Sequence, residues 1–121
     1  MNNKGQTLVL FVVLLPVILI LLAFVFDTAY MSMESNRLND IAKTSVKYIV
    51  KDNKDINEVK TIIKKNDNDI KIEKITTNSV YLKKEIKPIF GQIIGFKKYK
   101  LETNIYGVLE GNKLIIKEKG N

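Results

Sequence analysis

The run LVLFVVLLPVILILLAFVF, Leu8 to Phe26, constrains this chain more than any other feature. Its nineteen residues carry no charge, no amide and no hydroxyl. As a helix rising roughly 1.5 Å per residue it spans about 28 Å, close to the hydrocarbon thickness of a bilayer. The surface helix of a water-soluble domain is apolar along one stripe, whereas this run is apolar all round. The sequence therefore predicts a single membrane anchor. A cleaved secretory signal is the competing reading, but its apolar region runs only about 7–15 residues and ends in a small-x-small pattern. Here Asp27-Thr28-Ala29-Tyr30 follows instead. Pro16 stands inside the run. With no N–H it leaves the Val12 carbonyl without its helical partner, and it marks a candidate kink.

The rest of the chain is divided by its relation to that run. Residues 1–7 form a polar leader, 8–26 the transmembrane segment, 27–54 an amphipathic helix extension and 55–121 a small α+β domain. No Gly or Pro interrupts the chain between Asp27 and Ile86. Leu38, Ile41, Ala42, Val46 and Ile49 recur at helical spacing, with Asn39, Asp40, Lys43 and Lys47 between them. One continuous helix from about Gln6 to about Lys51 is expected, leaving the lipid near Asp27. Arg37 and Asp40 are spaced to pair on its exposed face. Lys4 and the α-amino group precede the apolar run, and Asp27 and Glu34 follow it before any basic residue. That asymmetry favours a cytoplasmic N-terminus and an extracytoplasmic domain, a single-pass topology in the cell membrane.

Downstream, Asp55 and Glu58 have the spacing of a capping box. Ile56, Val59, Ile62 and Ile63 then form one face of a second helix, to about Lys65. Asn66-Asp67-Asn68-Asp69 reads as a solvated turn. Its alternating oxygens hint at calcium, but Lys71 occupies a place where a ligand oxygen is needed, so no metal is expected. Alternation then predicts four short antiparallel strands, around Ile70–Glu73, Val80–Ile86, Lys100–Leu109 and Lys113–Glu118. Their shared apolar face is the natural cover for the helix stripe. Between the middle strands lies the segment from Pro88 to Phe96, the most apolar outside the anchor. It reads either as a loop folded over the sheet edge or as a docking patch built on Phe90, Ile93, Ile94 and Phe96, for the bilayer surface or another subunit.

Composition excludes more than it identifies. The chain has no cysteine and no histidine. Thiolate metal sites and the commonest general base are thereby removed, and the usual nucleophile–base pair cannot be built. No glycine-rich phosphate loop is present. The chain is not expected to be an enzyme or to carry a cofactor. Of twenty basic residues only Arg37 is arginine, and the net charge is +7. A lysine surface of this kind reads as solvated and not as a nucleic-acid site.

Four features, in order, give a resemblance. Gly5-Gln6 precedes the apolar run, Pro16 lies within it and Asp27-Thr28-Ala29-Tyr30 closes it. Asn36-Arg37-Leu38-Asn39-Asp40-Ile41-Ala42 then follows. Residues 5–46 thereby resemble the TadE/TadG-like proteins of Flp (Tad, tight-adherence) pilus assembly systems, relatives of type IV pilins. The resemblance implies a pilin-like α+β fold. It also implies a structural role as a minor pilin or pseudopilin in a pilus or related secretion assembly. Its partners would be the bilayer, other assembly subunits met as homo- or hetero-oligomers through the N-terminal helix, and a prepilin peptidase cutting between Gly5 and Gln6. Asp27, Tyr30, Arg37 and Asp40 become candidate subunit contacts. The family's glutamate five residues beyond the glycine is Leu10 here, a departure closer to the TadG-like type that keeps its anchor. A single-pass, membrane-tethered binding or regulatory module without a filament role is the alternative.

Overall fold

The computed structural model describes residues 3–95 and 98–118, with Ile94 as backbone only. Two helices precede a four-stranded sheet. They are α1 (Asn3–Val50) and α2 (Ile56–Asn66), followed by β1 (Lys71–Ile75), β2 (Ser79–Ile86), β3 (Tyr99–Glu110) and β4 (Lys113–Glu118). A 3₁₀ turn, Gly91–Ile94, lies between β2 and β3. The class is α+β.

Helix α1 is unbroken over 48 residues and runs through Pro16. Its apolar half is long and apolar enough to cross a membrane, and the most apolar stretch has none of its residues buried. Its second half is different. Asp27, Glu34, Leu38, Ala42, Ser45, Val46 and Ile49 are all buried. Steps of three, four and seven residues place them on one stripe. Ser45 belongs on it because its hydroxyl donates to the Ile41 carbonyl (2.7 Å), which removes an unpaired polar group. The helix stops at Val50. Asn53 then takes the left-handed conformation at φ 52°, which asparagine tolerates better than most residues.

Helix α2 begins where expected but is held differently. Asp55 occupies the N-cap position, yet its side chain makes no capping hydrogen bond. The capping box read from Asp55 and Glu58 is not formed. The Asp55 carbonyl accepts the Val59 N–H (3.0 Å), and burial of Val59 and Ile63 fixes the helix.

The sheet is an antiparallel meander in the order β1-β2-β3-β4. A bulge at Glu73 shifts the β1–β2 register. Strands β2 and β3 pair continuously from Ser79↔Tyr106 to Ile86↔Tyr99. Val80, Leu82 and Ile86 of β2 and Leu101 and Ile105 of β3 face the α1 stripe and form the core with Leu38, Ala42, Val46, Ile49, Val59, Ile63 and Ile70. The approach is close at Gly107, where an added Cβ would fall 2.6 Å from Val46 Cγ1. A side chain there would hold α1 off the sheet.

Candidate functional site

Acidic residues interrupt the apolar stripe of α1 at two levels, and each is answered from the sheet side. The lower level is Asp27, immediately after the apolar run. Its carboxylate is buried and accepts three consecutive backbone N–H groups from the β2–β3 connection. Oδ1 receives Ile89 (2.8 Å) and Phe90 (2.9 Å), and Oδ2 receives Gly91 (2.6 Å). Pro88 is fully buried beside them. Space at Gly91 is tight: a Cβ there would lie 3.0 Å from Pro88 Cβ and 3.3 Å from Asp27 Oδ2, so its neighbours would have to shift by a few tenths of an ångström. Hydrogen bonds of this kind to an ionised group are shorter and stronger than neutral ones. The Phe90 ring lies against Phe26, with centroids 6.2 Å apart. The connection is thereby pinned to α1 at the end of the apolar run.

The upper level is a buried charge cluster. Lys84, on the core face of β2, donates to Glu34 Oε2 at 2.7 Å and also to an Asp67 carboxylate oxygen. All three side chains are about nine-tenths buried. Asp67 also caps its own turn, accepting the Asp69 N–H at 3.0 Å. Burial pushes the Asp67 carboxyl up, but the Lys84 ammonium, the Asp69 N–H and the Arg37 charge outweigh it and hold the carboxyl below the usual range. Burial likewise pushes the Lys84 ammonium down, and its bonds to Asp67 and Glu34 overcome this and hold it above the usual lysine range. The reading of Asn66–Asp69 as a solvated turn fails at Asp67, whose carboxylate faces inward.

The candidate contact residues separate. Asp27 is occupied by the loop. Tyr30 is half-buried and packs on the core. Arg37 is exposed and donates to the Asn66 carbonyl at 3.1 Å, which ties α1 to the end of α2, while Asp40 stands exposed. Gly5 and Gln6 lie in the first turns of α1. In the candidate docking patch, Phe90 and Ile93 are exposed at 39 % and 81 %. Ile94 lies in the 3₁₀ turn, and Phe96 falls outside the described residues. The segment is neither reading in full. Pro88 and Gly91 are buried against the helix, while Ile89, Phe90 and Ile93 project outward. Between this segment and α1 runs an apolar groove of about 780 Å³, bounded by Leu19, Ala23 and Phe24 below and by Ser32, Ser35 and Leu101 above. The Thr28 hydroxyl on its wall is satisfied within the helix by the Phe24 carbonyl (2.9 Å).

Glu34 and Lys84 were missed by sequence reasoning, though both left a signal. Glu34 lies four residues before Leu38 on the stripe, and Lys84 occupies a core-facing position between Leu82 and Ile86. Among the described residues no group of three or more His, Cys, Asp or Glu is placed to hold a metal ion. The arrangement joins a helix to a sheet. Comparison of the chain with protein-family models, curated proteins and solved structures gives no match.

Proposed function

We propose that the chain is a membrane-anchored structural subunit, pilin-like in outline, of a Tad/Flp-type pilus or related secretion assembly. The apolar half of α1 spans the cell membrane once, with the N-terminus in the cytoplasm and the sheet outside. The helix packs laterally against other subunits in the bilayer, and the domain meets partners beyond it. One observation carries the reading. A single helix has none of its most apolar stretch buried and continues without a break into a half that a small sheet covers on one side. The order of Gly5-Gln6, Pro16, the Asp27 exit and the Asn36–Ala42 segment supports the pilus assignment. A tethered binding module is the second reading, and the exposed side chains of Ile89, Phe90 and Ile93 would then be its contact surface.

Crosslinking from Ser32→Cys or Ser35→Cys in membranes of the native host tests the proposal. Both positions border the groove on α1. Adducts with other single-pass subunits of an envelope-spanning assembly are expected. A protein recovered from the membrane without such adducts overturns the assembly role and leaves the tethered module. Recovery from the cytosol overturns both. Sequencing the native N-terminus decides processing: Gln6 first means cleavage, and Met1 first excludes it.

A further inference from the structure

Between its flanking lysines the β2–β3 connection exposes mainly apolar side chains; the polar exception is Gln92, whose amide donates to the Pro88 carbonyl at 2.9 Å. Ile89, Phe90 and Ile93 project outward, while the backbone N–H groups of Ile89, Phe90 and Gly91 are held by the Asp27 carboxylate. That attachment fixes the height of the loop along α1. Phe90 lies against Phe26, the last residue of the apolar run. The groove continues downward past Phe24 and Ala23 to Ile20 and Leu19, with Phe90 and Ile93 on its other wall. The outward surface of the loop is therefore continuous with the uncovered surface of the apolar helix. Lys87 and Lys98 stand exposed at the two bases of the loop, Lys98 with its ammonium 3.5 Å from the Glu85 carboxylate. An apolar tip between lysines is the pattern of a segment entering a bilayer, with ammonium groups at the headgroup level.

We infer that the Ile89–Ile93 loop is a second membrane contact, inserted into the interfacial layer of the leaflet from which α1 emerges. The inference rests on the reading of residues 8–26 as a transmembrane segment. If Phe26 is at the edge of the hydrocarbon, the loop bound beside it is carried to the same depth. Two contacts, a spanning helix and an inserted loop, hold the sheet at one tilt above the surface, where a spanning helix alone leaves it free to lean. The occupant of the loop surface is lipid, because that surface extends an apolar face that lipid already covers. Asp27 makes the insertion tolerable. It supplies acceptors for three N–H groups that lipid could not satisfy.

The chain contains no tryptophan, so a single introduced one reports its own surroundings. Ile93→Trp, at a side chain with few neighbours, is placed in the full chain and reconstituted into vesicles of phosphatidylcholine and phosphatidylglycerol. Two matched variants accompany it. Leu14→Trp lies in the apolar run. Asn112→Trp lies in the β3–β4 turn, at the far end of a strand of 12 residues, about 36 Å from the loop. Lipids with a spin label near the headgroup or near the chain end serve as quenchers. For Ile93→Trp the expected result is a blue shift and loss of emission to the headgroup-proximal label. For Leu14→Trp the loss should be to the chain-end label, and for Asn112→Trp there should be no loss to either. Water-like emission from Ile93→Trp while Leu14→Trp is quenched overturns the loop contact and leaves the anchor standing. Absence of quenching from Leu14→Trp overturns the anchor itself. Emission from Ile93→Trp that is shielded only at high protein-to-lipid ratio, and reverts on dilution with lipid, assigns the loop to a second copy and overturns the inference.

Discussion

The Lys84 ammonium lies 2.7 Å from the Glu34 carboxylate across 50 residues of chain. Both residues occupy positions where their elements otherwise present aliphatic side chains to the core. Asp67 completes the cluster from the turn after α2. Removing one member of such a group leaves its partners charged and buried, which costs far more than the intact group contributes.

Lys84→Ala is therefore expected to destabilise the domain by about 3–5 kcal/mol. The combined replacement Glu34→Leu, Asp67→Asn and Lys84→Met should recover most of that loss, because no uncompensated charge remains. Urea denaturation of the full chain in micelles, followed by circular dichroism, measures both.

The same cluster sets a pH dependence with two limbs. Asp67 is held below its ordinary value of 3.8, so the unfolded chain takes up that proton first as pH falls. Its contribution is complete above the ordinary carboxylate value and is lost as pH drops through the folded one. Lys84 is held above its ordinary value of 10.5, so the unfolded chain releases that proton first as pH rises. Its contribution is complete below the ordinary lysine value and is lost as pH climbs through the folded one. The cluster's contribution to Tm should be level from roughly pH 5 to pH 9 and fall on either side. Asp67→Asn should flatten the acid limb and also shrink the alkaline one, because Asp67 is the first of the two carboxylates that hold Lys84 up, and thermal melts across the pH range read both.

Gly107 fixes the distance between β3 and α1. An added Cβ meets Val46 Cγ1 at 2.6 Å and Leu114 Cδ1 at 3.3 Å. Gly107→Ala should cost about 1–3 kcal/mol, the range for overpacking a core. Combined with Val46→Ala it should cost less than the two single changes summed, because the crowding has been removed. A double-mutant cycle on denaturation midpoints tests this coupling.

Asp27→Ala should free the β2–β3 connection without unfolding the sheet. The amides of Ile89, Phe90 and Gly91 lose their acceptor, and their hydrogen-exchange protection should drop by about tenfold or more. Asp27→Asn keeps one acceptor oxygen and should fall between. Residue-resolved exchange on the full chain in micelles distinguishes the three proteins, with the amides of Val80 and Leu82 unchanged.

Most of the architecture was legible because periodicity survives in single sequences. The long helix, the second helix and four antiparallel strands follow from spacings of 3.6 and 2.0 residues. Partners distant in sequence were harder to read. Alternation in β2 pointed to Val80, Leu82 and Ile86 and passed over Lys84 between them, although an ammonium on a core face requires a carboxylate opposite. Glu34 on the α1 stripe was that carboxylate. Asp27 read as a marker of the water interface because its three donors are backbone groups more than 60 residues away, and backbone donors leave no mark in a side-chain pattern. The Asp55–Glu58 spacing suggested a cap that burial of Val59 and Ile63 made unnecessary. Local motifs report what a segment can do alone, and tertiary packing selects among those options.

A helix of 48 residues is a rod of about 72 Å. The sheet is fastened to it at three heights, by Asp27 low down, by Glu34 midway and by the Val46–Ile49 contacts near the top. Fastening at several points leaves no hinge between rod and domain. A swing or turn of the rod above Pro16 carries the strands with it, as a handle moves a blade. A partner that grips the rod thereby steers the outer face of the sheet without touching it.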